Sequence, residues 1–141
     1  RRLVDAVTRA GAVFYTALTY DGRETWAPKH AADGEVLAAF HADQRRDKGL
    51  GPALGPDATE ALARAFRAHG YRVATAQSDW NLKSGENADL IRMLAEGSAA
   101  AVRPVLGETA DAWLDAQGSA EAVMIGHLDL LAMPRSRTSD D

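Results

Sequence analysis

Cysteine is absent from the chain. Disulfides and thiolate metal sites are therefore excluded. The absence is compatible with a reducing compartment, and a cytoplasmic location is the expectation. No apolar run is long enough to span a bilayer, and the first residues lack a signal-peptide pattern, so no membrane partner is expected. Charge of either sign is not in large excess. The net value of −4 gives no general pull toward nucleic acid. Internal repeats and low-complexity tracts are missing. An initial methionine is missing too: the chain opens on Arg1-Arg2, which suggests a fragment, a processed product or a trimmed piece.

What is present suits one globular domain or part of one. The chain has 141 residues, and its apolar share of 46% argues against wholesale disorder. Ala12–Tyr20 (AVFYTALTY) is the organising stretch. Its near-continuous hydrophobicity predicts a strand covered on both faces, and Asp21-Gly22-Arg23 is the polar break at its end. In open α/β sheets ligands bind at the carboxyl ends of strands.

The remaining elements alternate around that strand. Arg1–Ala10 reads as a helix stopped by Gly11. Trp26–Asp33 reads as loop, Gly34–Arg45 as helix, and Gly49–Pro56 as a Gly/Pro-rich loop. Asp57 and Glu60 have the spacing of a capping box for a helix over Ala58–His69, ended by Gly70. Tyr71–Gln77 reads as a second strand, broken by Ser78-Asp79-Trp80-Asn81. Ser84 or Asn87 is the predicted start of a helix that Pro104 stops after Arg103. Thr109–Gln117 reads as a short helix. Ala122–Met133 is a third strand, closed by Pro134. Residues 1–134 form the predicted domain, and Arg135–Asp141 a disordered tail. The alternation implies an α/β fold with a small sheet.

The phrases ALTYDGR, HADQRRDKGLGPALGP, FRAHGYRVATAQSDW and IGHLDLLAMP, in this order of elements, carry a resemblance. The chain resembles the C-terminal half of a class I S-adenosylmethionine-dependent methyltransferase, in a bacterial subgroup whose substrate is undefined. The resemblance implies a partial Rossmann-like sheet of three strands in the order 5-7-6. Strand five would be Ala12–Tyr20, strand six Tyr71–Gln77, and strand seven, the last and antiparallel one, Ala122–Met133. The family's glycine-rich loop and its ribose-binding acidic residue have no counterpart here. Gly49, Gly51 and Gly55 do not follow a buried strand directly and are interrupted by Pro52 and Pro56. S-adenosylmethionine is thus the cofactor of the full-length family, and none is expected for this fragment alone. The order also leaves strand five with a free edge. Self-association through that edge, or pairing with a missing N-terminal half, is the expectation, unless the first helix folds over it.

Several residues carry two readings. Tyr20, Asp21 and Arg23 are either a cleft wall or a turn. His41, Gln44, Arg45, Arg46, Asp47 and Lys48 are either a substrate-recognition cluster, with His41 as a candidate general base, or a solvated helix end. Trp80 either lines a pocket or packs as core. His127 and Asp129, two apart in a strand, read as a hydrogen-bonded structural pair or a proton relay. His30, His41, His69 and His127 lack ligand spacing, so no metal is expected. The favoured function is the substrate side of a methyltransferase for a small-molecule acceptor, inactive alone. The alternative is a non-catalytic α/β interaction or dimerisation module.

Overall fold

The structure is a computed structural model, described here for residues 2–49 and 51–135. The predicted tail beyond Arg135 lies outside the described residues. Helix α1 (Arg2–Arg9) leads into strand β1 (Phe14–Ala27), then α2 (Asp33–Arg45), a 3-10 turn (Gly55–Asp57) and α3 (Ala58–Ala68). Strands β2 (Arg72–Gln77) and β3 (Trp80–Lys83) follow. Helices α4 (Ser84–Leu106) and α5 (Glu108–Gln117) and strand β4 (Ala122–Met133) complete the chain. No described helix is long and apolar enough to cross a membrane.

β4 is the central strand and is antiparallel to all three others. β1 lies along one side of it. β2 and β3 share the other side, so the sheet has four strands rather than three. The pairing register does not change between them: Gln77 faces Leu128 and Trp80 faces Ile125. Ser78 and Asp79 therefore sit opposite His127 and Gly126 in one interrupted strand, and the expected break at Ser78–Asn81 is confined to two residues. The Ser78 amide still bonds the His127 carbonyl. The Asp79 side chain then accepts the His127 amide at 3.1 Å.

β1 does not end at Asp21-Gly22. Its ladder to β4 resumes at Glu24–Ile125 and runs on to Ala27, so Trp26 belongs to the strand and not to the loop. Two irregularities interrupt it, one between Thr16 and Thr19 and one between Tyr20 and Glu24. The first inserts one extra residue and holds Leu18 at φ 53°. The second holds Gly22 at φ 89°, a conformation glycine adopts without a Cβ penalty. An Asp-Gly pair read as a strand-ending turn is here a bulge.

Alternation along β4 separates two faces. Leu130 and Ala132 pack with Phe66, Tyr71 and Val4, so α1 and α3 cover one end of one face. Val123 and Ile125 pack with Trp26, Leu82, Ile91, Ala95 and Trp113, so α2, α4 and α5 cover the other end of the opposite face. α1 is thus part of a facial layer. β1 is not covered on both faces as its composition suggested: Tyr15, Ala17 and Leu18 are exposed. Its outer edge pairs with no strand among the described residues.

Two helix boundaries also differ from the sequence reading. Asp57 makes no side-chain cap, because Glu60 pairs with Arg64 and Asp57 with Arg45. α4 passes Pro104 and stops at Gly107. Pro104 falls in the last turn, two residues before the helix ends at Leu106. At the start of α4, Asn87 leaves helical geometry, and its Oδ1 accepts the Lys83 amide.

Candidate functional site

The covered half of the sheet stops at the row formed by Tyr20, His127 and Ser78. Beyond it lie Asp129, Leu131 and Tyr15 on the uncovered half of the same face. The extra residue at Ala17-Leu18 turns Tyr20, Glu24 and Trp26 onto the α2 side of β1. Without that insertion Tyr20 would point to the opposite face.

Tyr20 is the hub. Its hydroxyl donates to Glu24 Oε2 at 3.1 Å and lies 2.9 Å from His41 Nε2. Glu24 Oε1 in turn accepts the Trp26 indole N–H at 2.5 Å. With Glu24 ionised, His41 Nε2–H donates to the Tyr20 oxygen. With Glu24 protonated, both bonds reverse. The Tyr20 ring meets Phe40 edge-on at 6.2 Å and His127 at 6.5 Å. Trp80 stacks obliquely on His127 at 5.0 Å. His127 is buried, and its Nδ1 has no partner.

Electrostatics suit proton sharing along this chain. Burial pushes the Glu24 carboxyl up. The Trp26 and Tyr20 hydrogen bonds oppose that, and the Asp33 charge reinforces it. Burial, then the Arg45 charge, pulls His41 below the ordinary histidine value, with Asp57 opposing. The two groups are thereby drawn toward one another. Tyr20 is pushed far above its usual value by burial and the Glu24 charge, so the hydroxyl stays neutral.

Two cavities flank the hub. One, of about 310 Å³, is lined by Glu24, Trp26, His30, Asp33, Leu37 and Trp113. The other, a shallower recess of about 300 Å³, is bordered by Thr19, Tyr20, Gln44, Ala53 and Gly55. The Gln44 Oε1 is buried without a partner.

Compared with protein-family models, curated proteins and solved structures, the chain matches none.

The structure brings together Tyr20, His41 and Gln44 from the sequence-derived set, and joins Trp80 to them through His127. It separates the others. Asp21 is held by the Arg23 guanidinium and the Arg23 amide. Arg45 pairs with Asp57 at the surface. Lys48 and Arg46 both pair with Asp43. Asp47 Oδ1 accepts the Gly49 and Gly51 amides at 2.8 and 2.9 Å. Arg45, Asp47 and Lys48 are therefore surface groups that shape the loop after α2. His127 and Asp129 share a face but do not hydrogen-bond each other. Asp129 instead accepts from Tyr15, Ser78 and the Leu18 amide.

Glu24 is the site residue that sequence reasoning missed. The signal was the alternation of Glu24 with Trp26, which was hidden once Asp-Gly was read as a strand end. The glycine stretch does not fit S-adenosylmethionine, because Asp47 already takes the Gly49 and Gly51 amides that would have to face it. Among the described residues no group of three or more His, Asp or Glu is placed to hold a metal ion.

Proposed function

We propose that the chain is the acceptor side of an S-adenosylmethionine-dependent methyl-transfer domain for a small molecule, with Glu24, Tyr20 and His41 handling the acceptor's proton. One observation carries the reading. Glu24, Tyr20 and His41 form one hydrogen-bonded chain, and its Glu24 end lines the cavity of about 310 Å³.

In this reading the acceptor enters beside Glu24 and gives up a proton there. Once Glu24 carries that proton it donates to the Tyr20 oxygen, Tyr20 donates to the Nε2 of a His41 ring protonated at Nδ1, and a concerted transfer along these bonds leaves Glu24 ionised and His41 as imidazolium. A concerted transfer in the reverse direction moves a proton from imidazolium through Tyr20 to Glu24. Tyr20 gains one proton and loses one in each case, so it never ionises. α2 supplies His41, and α5 supplies Trp113, which packs against Trp26. The methyl donor is held by residues outside this set, on strands that extend the sheet from the free edge of β1.

Calorimetric titration with S-adenosylmethionine tests the reading on this chain and on the longest natural polypeptide that contains it. The longer polypeptide should bind the cofactor and the chain alone should not. A longer polypeptide that fails to bind overturns the reading. Tight binding by the 141-residue chain overturns the division between donor and acceptor sides.

A further inference from the structure

The cavity beside Glu24 has a composition that selects a ligand. Trp26 and Trp113 form part of its wall, with ring centroids 5.0 Å apart at 76°. Each indole N–H is tied to a carboxylate that also lines the cavity. Trp26 Nε1 donates to Glu24, and Trp113 Nε1 donates to Asp33 Oδ1 at 2.8 Å. Asp33 is fixed further by the Gln117 amide nitrogen at 3.0 Å and the His30 backbone N–H at 2.8 Å. The wall is thus rigid before any ligand arrives. Val36 and Leu37 add an apolar side.

Neither carboxylate has a cationic partner among the described residues. Lys29 stands at the rim, is exposed, and makes no ion pair with either. We propose that this cavity binds a small organic amine in its protonated form, the ammonium against Glu24 and the apolar body along Trp26, Trp113 and Leu37. Indole walls favour an ammonium over a neutral group of the same shape, and the gain rises when the site excludes water. Glu24 keeps lone pairs for it, since each of its oxygens accepts only one bond from the protein. A bare metal ion is the poorer fit, because two carboxylates and two indoles do not complete a coordination shell. Desolvation and the Asp33 charge hold the Glu24 carboxyl above its ordinary range, and an entering cation would counter the Asp33 repulsion.

The inference rests on the methyl-transfer reading only for the fate of the ligand, because the amine would then be the methyl acceptor. Binding itself does not depend on it. The test titrates the 141-residue chain with 2-phenylethylamine and with 2-phenylethanol, its near-isosteric neutral counterpart. Tryptophan fluorescence and the indole N–H resonances of Trp26 and Trp113 report binding. The amine should bind at least tenfold more tightly than the alcohol and should shift both indole resonances. Glu24→Gln should reduce the preference to within about twofold. Equal affinities for the two probes overturn the proposal, as do shifts confined to other residues, no binding by either probe, or a preference that survives Glu24→Gln. Absent cofactor binding by the longer polypeptide, with the amine preference intact, would remove the methyl-transfer reading and leave the amine site standing.

Discussion

Asp21 occupies the space in which a side chain on Gly126 would stand. A Cβ at Gly126 would collide with Asp21 Oδ1 and lie 2.8 Å from Arg23 Cβ and 3.0 Å from the Arg23 carbonyl oxygen. The second bulge of β1 is folded down onto this bare backbone. Arg23 then bridges Asp21 and Asp79, with 2.6 and 2.7 Å contacts. Gly126→Ala should therefore destabilise the chain by about 1–3 kcal/mol, the usual cost of forcing extra volume into a packed contact. Urea unfolding followed by circular dichroism measures it. Gly126→Ala combined with Asp21→Gly should recover only part of the loss, because the Arg23 backbone remains in the way.

This contact also explains which parts of the fold were legible in the sequence. Ala122–Met133 is apolar enough to announce a central strand on its own, and Gly70 ends α3 by local geometry. Asp21-Gly22 carries the same letters as a hairpin turn. What makes it a bulge is Gly126, more than one hundred positions away, together with the Asp79 clamp across β4. Periodicity within a window holds no information about either. The same limit hid Glu24, whose role depends on which face the earlier bulge at Leu18 turns it to. His41 and Tyr20 were recognisable by residue type, whereas their 2.9 Å contact follows from where α2 settles.

Glu24→Gln should stabilise the protein at neutral pH while weakening amine binding. The folded carboxyl is raised above its ordinary value of 4.5. Its contribution to stability is therefore fully present below that value and is lost as pH rises through the folded one. Glutamine makes no such loss. Its Oε1 can accept the Trp26 N–H, and its amide can donate to Tyr20, as protonated Glu24 would. The variant's advantage should grow from about pH 4.5 upward and reach roughly 1 kcal/mol, the scale set by removing an unpaired, partly buried charge. Thermal melts from pH 4 to 8 check it. An advantage that shrinks with rising pH contradicts the assignment.

Tyr20→Phe should leave Glu24 Oε2 and His41 Nε2 without their shared partner. The expected loss is about 1–3 kcal/mol, since polar groups are stranded in a half-buried setting. It should exceed the loss in Tyr15→Phe, whose hydroxyl bonds Asp129 in an exposed position. Chemical denaturation of the two variants side by side makes the comparison.

His41 should titrate below the ordinary histidine value, with Arg45 as one cause. Arg45→Ala removes a nearby positive charge, so the imidazole should protonate more readily and its apparent pKa should rise. Asp57→Asn should lower it, because the Asp57 charge acts the other way. The stability tied to a depressed histidine is present above its unfolded value of about 6.5 and fades as pH falls through the folded one. Both substitutions are at exposed positions and should leave the fold intact. The C–H resonances of the His41 ring, followed from pH 4 to 8, give the answer directly.

Leu18 is a branched apolar residue at φ 53°, a region that costs residues other than glycine about 1 kcal/mol or more. It is 47% exposed, and Tyr15 on β1 and Val13 just before it are 60% and 61% exposed. An unpaired strand edge bearing such side chains is a template for pairing with another chain. The bulge at Leu18 itself turns the edge locally away from such pairing, so a substitution there separates strain from association. Leu18→Asn should raise the stability of the monomer by about 0.5–1 kcal/mol, because asparagine tolerates the left-handed region. It should leave the concentration-dependent mass seen by light scattering unchanged. Wild-type protein that stays monomeric at millimolar concentration would remove the edge-pairing reading. A stabilised variant with unchanged association would separate the strain at Leu18 from any contact it makes.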